Sequence, residues 1–135
     1  MPELRPLERL VEKLGLQSNV KMLGYVTNLQ DYQHIVDVCV SCSRREGLPL
    51  NIVEAMLSGT PVVATRNRGH KELVSDQESG FIVDCWNQQL LRDRVLSLLL
   101  DPVLADMIVY GAKKKSALYQ AGNIKRELGN IYFSL

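Results

Sequence analysis

The chain has 135 residues, 46% hydrophobic and 23% charged, which is enough for one domain with a core of its own. Sixteen basic against fifteen acidic residues leave a formal charge of +1 and no electrostatic footprint for nucleic acid. The longest apolar block, Val95 to Leu100, is interrupted by Ser97 and falls far short of the roughly 18 residues of a membrane-spanning helix. Met1-Pro2-Glu3-Leu4-Arg5 lacks a secretory-signal pattern, and three cysteines are an odd number for a disulfide scaffold, so a soluble cytoplasmic protein is expected.

Leu4, Leu7, Leu10, Val11 and Leu14 recur at helical spacing, and Gly15 stands where a left-handed cap ends such a helix. Val20-Lys21-Met22-Leu23 reads as a short strand ended by Gly24. A weakly helical stretch from Leu29 to Val36 leads into Val38-Cys39-Val40-Ser41-Cys42, rich in β-formers. The polar turn from Ser43 to Gly47 precedes an apolar-periodic helix from Asn51 to Ser58, closed by Gly59. Pro61-Val62-Val63-Ala64-Thr65 predicts a third strand, with Pro at its tolerated first position. Phe81-Ile82-Val83 predicts a fourth, after the Ser79-Gly80 turn. Three helices complete the pattern: about Gln88 to Leu100, Val103 to Leu118, and Ile124 to Phe133.

Nearly all-apolar strands separated by helices predict a parallel sheet covered on both faces. Right-handed crossovers make this a Rossmann-like, doubly wound α/β domain of about four strands. Such sheets bind ligands outside the carboxyl ends of their strands. That rule selects the loops Gly24 to Asn28, Ser43 to Leu50, and Thr65 to His70. The chain opens on a helix rather than a strand, so either the sheet is small or the chain is part of a longer one.

The richest stretch runs from Ser43-Arg44-Arg45-Glu46-Gly47-Leu48-Pro49-Leu50 through Asn51-Ile52-Val53-Glu54-Ala55-Met56. It is a strand, a Gly-containing turn and a helix start. Free backbone N–H groups and the positive dipole end there suit an anion such as phosphate. Glu46 lies in the turn beside that position, and Glu54 lies about one turn inside the helix, where a carboxylate can accept from a sugar diol. Two carboxylates at this spacing mean little alone; their placement around a Gly-Leu-Pro turn and a helix start is what carries information.

These residues resemble the signature of the retaining nucleotide-sugar glycosyltransferases of family four, also called glycosyltransferases group 1. The resemblance continues through Gly59-Thr60-Pro61-Val62-Val63-Ala64-Thr65, Gly69-His70-Lys71-Glu72-Leu73-Val74 and Gly80-Phe81-Ile82-Val83, in order. Upstream, Asn19-Val20-Lys21-Met22-Leu23-Gly24-Tyr25-Val26 looks like the strand and loop beside the donor base. Enzymes of capsule and exopolysaccharide assembly are nearest in flavour.

The resemblance implies a GT-B fold, of which this chain would be the incomplete C-terminal donor domain. It implies transfer of a sugar from a nucleotide-diphosphate donor to a glycan or lipid-linked acceptor, with retention. Glu46 would act at the reacting sugar, supporting positive charge at the anomeric carbon. Glu54 would hold the ribose hydroxyls, and backbone groups around Gly47, Leu48, Leu50 and Asn51 would face the diphosphate. Gly24, Tyr25 and Val26 would approach the base. No metal or other cofactor is implied, because fixed donors and dipoles stabilise the departing diphosphate. The first strands, with the Lys that grips the diphosphate, and the acceptor-binding N-terminal domain are expected to be missing. The chain alone is therefore expected to be inactive, and the alternative is a truncated, non-catalytic nucleotide-sugar-binding or interaction module.

Other residues weigh less. Arg44 and Arg45 are candidates to replace the missing diphosphate cation, against a plain solvated turn. His70, in a loop expected at the cleft, is a candidate ligand contact, whereas His34 reads as a solvated helix position. Cys39 and Cys42, three apart in a strand, point to opposite faces and read as small core residues rather than a redox or zinc pair. Lys113-Lys114-Lys115 is a polar helix face that also offers peripheral contact with an anionic membrane surface.

Overall fold

A computed structural model describes residues 4–119 of the chain. Helix α1 (Leu4–Lys13) ends as its sequence predicts: Gly15 takes φ +67°, and the Leu16 N–H reaches back to the Val11 carbonyl. Its apolar stripe of Leu7, Leu10 and Leu14 is uncovered among the described residues. Helix α2 (Leu29–Gln33) is shorter than its sequence pattern. Strand β1 (Cys39–Ser41), helix α3 (Leu50–Ser58) and strand β2 (Val62–Thr65) follow. Helix α4 (Arg68–Leu73) falls where the sequence reads as a loop. Strand β3 (Phe81–Val83), helix α5 (Gln88–Leu100) and helix α6 (Pro102–Ser116) complete the main elements, followed by a 3-10 turn at Ala117–Tyr119. The helix expected from Ile124 to Phe133 lies outside the described residues.

The three strands are parallel in the order β1-β2-β3, with Val40 opposite Val63 and Ala64 opposite Ile82. Strands β2 and β3 are covered on both faces, as strands without an alternating polar face require, whereas Val40 of the edge strand β1 is exposed. Val62, Ala64 and Ile82 pack with Ile52, Met56 and Leu73 on one side. Val63, Phe81 and Val83 pack with Leu98 and Ile108 on the other. The doubly wound α/β class expected from the sequence is the fold observed.

The count of about four strands is corrected to three among the described residues. Val20-Lys21-Met22-Leu23 is not a strand: its residues are solvent-exposed, and no described hydrogen bond ties residues 21–27 to another element. A run of β-formers becomes a strand only against a partner ladder, and among the described residues β1 pairs with β2 alone. The bounds of α3, β2 and β3 agree with the sequence to within a residue. No single helix among the described residues is long and apolar enough to cross a membrane.

Candidate functional site

The carboxyl ends of the three strands place three loops on one edge: residues 42–49 after β1, 66–67 after β2 and 84–87 after β3. The loop after β1 carries Glu46 and runs into α3, whose first residues, Leu50 and Asn51, are exposed. Pro49 precedes the helix with φ −75° and supplies no side-chain cap, which leaves the first-turn donors at this end without a side-chain acceptor. Ile52, Val53, Ala55 and Met56 bury the inner face of α3, and Gly59 closes it at φ +81°. Glu54 projects from the second turn and is half-buried, as is Glu46. Neither carboxylate has an ion pair or side-chain hydrogen bond among the described residues.

Four residues outside the turn hold it in place. The Thr65 hydroxyl and the Asn67 side-chain amide both donate to the Ser43 carbonyl at 2.8 Å. Asn67 also caps α4, its Oδ1 accepting from the His70 N–H at 2.9 Å. Gly69 lies against the turn itself, since a Cβ there would stand 2.5 Å from the Gly47 carbonyl oxygen. Beneath them His70 is fully buried at 0% exposure, its Nδ1 2.6 Å from the Thr65 carbonyl and its Nε2 3.1 Å from the Ser41 hydroxyl. The expectation that His70 contacts ligand is corrected. Its ring is enclosed and both nitrogens are engaged, so it reaches the cleft only through the loops it ties together.

Arg44 turns its guanidinium over the Trp86 ring, 4.5 Å from the centroid, so the loop after β1 leans across the end of β2 toward the loop after β3. Arg66, in the loop after β2, pairs with Asp84 in the loop after β3 at 2.7 Å, on an exposed surface where such pairs add little stability. Arg45 is exposed, as are Gly47 and Leu48. Arg66, Asn67, Arg68, Lys71 and Glu72 line an open cleft of about 530 Å³ beside the turn. Gly24 takes φ +65°, Tyr25 is 81% exposed and Val26 is half-buried; no described contact brings this segment to the Glu46 turn. Sequence reasoning missed Thr65, Asn67 and Trp86. Asn67 caps a helix too short to be read from apolar periodicity, so its capping role was not legible.

The cysteine pair does not converge on a centre. Cys39 lies in β1 with burial pushing its thiol pKa up, while Cys42 is exposed just beyond the strand. Among the described residues, no group of three or more His, Cys, Asp or Glu side chains is placed to hold a metal ion.

Comparison with known proteins agrees with this geometry. The family model for glycosyl transferases group 1 matches residues 1–115. The lipopolysaccharide core biosynthesis mannosyltransferase LpsB of Rhizobium meliloti is 31% identical over 132 residues, covering 96% of this chain and 38% of that protein. A D-inositol 3-phosphate glycosyltransferase of Corynebacterium urealyticum is 33% identical over 131 residues, 96% of this chain and 31% of that protein. HepE of Anabaena in complex with UDP superposes with a TM-score of 0.87 at 27% identity, over 98% of this chain and 37% of that one. The same protein with UDP-glucose superposes at 0.83 and 26% identity. The chain spans about a third of the length of the relatives it matches. Its strands, its Glu46 turn and its α3 start make one α/β unit of the GT-B type, and the chain belongs to the glycosyl transferases group 1 family.

Proposed function

We propose that this chain forms the donor half-site of a retaining glycosyltransferase that moves a sugar from a nucleoside-diphosphate carrier to a glycan or lipid-linked acceptor. The observation that carries this reading is the edge built by the Glu46 turn and the α3 start, with two half-buried carboxylates that have no ion pair or side-chain hydrogen bond among the described residues. The likeness to Anabaena HepE, seen with UDP and with UDP-glucose, supports a nucleotide-sugar ligand.

In this reading the diphosphate lies on the uncapped N–H groups of α3, where backbone donors and the helix dipole favour negative charge. Glu54, one turn further in, accepts from the ribose hydroxyls. Glu46 lies at the transferred sugar. As the anomeric C–O bond breaks, the diphosphate leaves with the electron pair and positive charge grows at the anomeric carbon. The Glu46 carboxylate, fixed beforehand by its turn, offsets that charge without reorganising. The acceptor hydroxyl is delivered by a second domain.

Calorimetric titration of the folded 135-residue chain with UDP, GDP and UDP-glucose tests the donor reading. Saturable binding of at least one is expected, and the strongest names the base. A folded chain that binds none overturns the claim that these residues suffice as a donor half-site.

A further inference from the structure

His70 is held by three elements at once. It sits on α4, its Nδ1 is 2.6 Å from the carbonyl of Thr65 at the end of β2, and its Nε2 is 3.1 Å from the hydroxyl of Ser41 at the end of β1. Thr65 offers only a carbonyl to the ring, so Nδ1 carries the proton and donates. Nε2 then accepts from the Ser41 O–H. Asn67 Nδ2 lies 3.0 Å from the same Nδ1 but has its own acceptor in the Ser43 carbonyl. No buried side-chain nitrogen or oxygen among the described residues is left unpartnered. Ser41 is the last residue of β1, so the Glu46 turn departs from the position that the imidazole fixes.

Resting on the donor-site reading above, we infer that His70 is a positioning residue for the donor sugar. Through Ser41 it sets the root of the Glu46 turn relative to β2. Asn67, the cap of the same short helix, holds the start of that turn at Ser43, and Gly69 lies against its end at Glu46 and Gly47. The histidine thus governs where the Glu46 carboxylate stands without touching ligand itself. A fully buried, doubly bonded ring suits this task, because neither bond can be exchanged for water when the site opens. Among the described residues the imidazole has no hydrogen bond to α3, which carries the free N–H groups and Glu54, so the nucleotide part of the ligand depends on it less than the sugar does.

The test is the affinity of the folded chain for UDP and for UDP-glucose in wild type, Ser41→Ala, His70→Asn and His70→Gln, with a Tm for each. Asn places its amide near Nδ1 and keeps the Thr65 bond but does not reach Ser41; Gln places its amide near Nε2 and does. Ser41→Ala and His70→Asn are expected to weaken UDP-glucose binding about tenfold more than UDP binding, the size of one lost buried hydrogen bond. Their double variant should be no worse than either alone, and His70→Gln should recover most of the loss. Equal losses for both ligands, or a lowered Tm with the ratio unchanged, would show that His70 only stabilises the fold. A folded wild-type chain that binds neither ligand removes the donor-site reading and the positioning role together.

Discussion

The backbone of Gly69, at the start of α4, lies directly against that of Gly47 in the Glu46 turn: a Cβ on Gly69 would stand 2.5 Å from one carbonyl oxygen and 2.8 Å from the Glu46 carbonyl oxygen. Both obstacles are backbone, so no side chain can move aside. Gly69→Ala is therefore expected to destabilise the fold by about 1–3 kcal/mol, as overpacking does, and to weaken UDP-glucose binding by displacing the turn. Gly47→Ala is the control. Nothing lies within 4 Å of a Cβ there, and its stability is expected to change by about 0.5 kcal/mol or less. Urea denaturation of the two variants checks the contrast, and equal effects would mean that the turn is not seated on α4.

On the donor-site proposal, Arg44 would have two partners for its charge, the Trp86 ring seen here and a bound diphosphate. An exposed cation–π contact is worth about 0.5–1 kcal/mol, while a charge-assisted bond to phosphate is worth about 1.5–3 kcal/mol. The phosphate wins, so a bound nucleotide should draw the guanidinium off the ring. Trp86 is the single tryptophan of the chain, which makes its emission a direct readout. UDP is expected to change that emission in the wild type and not in Arg44→Ala, which should also bind UDP more weakly. An identical response in both would assign Arg44 to the turn's structure alone.

The cysteines differ in reactivity for a physical reason. The thiolate is the reactive form, and burial raises the pKa of Cys39, so less of it is ionised at any given pH. Cys42 is exposed. A water-soluble alkylating reagent at mildly alkaline pH should label Cys42 first, with Cys39 lagging further the lower the pH. Peptide mass spectrometry reads the order. Rapid oxidation to a bond between Cys39 and Cys42 would contradict the placement of the pair.

Asp101 joins α5 to α6 and caps the second helix, its Oδ1 accepting from the Leu104 N–H at 3.0 Å, with Pro102 at the first helical position. Asp101→Ala is expected to cost about 1 kcal/mol, a typical cap. Because α5 starts at the carboxyl end of β3 and runs back along the sheet, this corner lies at the edge opposite Glu46. Nucleotide affinity should not change. A thermal melt and one titration separate the two effects.

The parts of the fold legible in the sequence were those set by local chemistry. Gly15 and Gly59 ended their helices because only a left-handed residue satisfies the orphan carbonyls there. The nearly all-apolar β2 and the all-apolar β3 marked strands buried on both faces. Val20 to Leu23 carried the same local signal without a partner ladder, and pairing is not a local property. Helix α4 escaped because it is six residues long and contains a glycine, so its apolar periodicity is too short to read. At the site, Glu46 and Glu54 were visible through the turn and helix start that flank them. His70 was visible but misread: its burial depends on Ser41, Thr65 and α4 converging, and the Arg44–Trp86 stack likewise joins loops from the two outer strands.

The most direct test of the donor-site account is a split between its two carboxylates, read by calorimetry with UDP and UDP-glucose. Glu54→Ala should weaken both ligands about tenfold or more, since it removes charged hydrogen bonds to the shared ribose. Glu46→Gln should keep UDP affinity within about twofold, and lose affinity for UDP-glucose by more than that, because its partner is the sugar. That pattern would place the nucleotide at Glu54 and the sugar at Glu46. Unchanged UDP affinity in Glu54→Ala, with the wild type binding, would contradict the account at its centre.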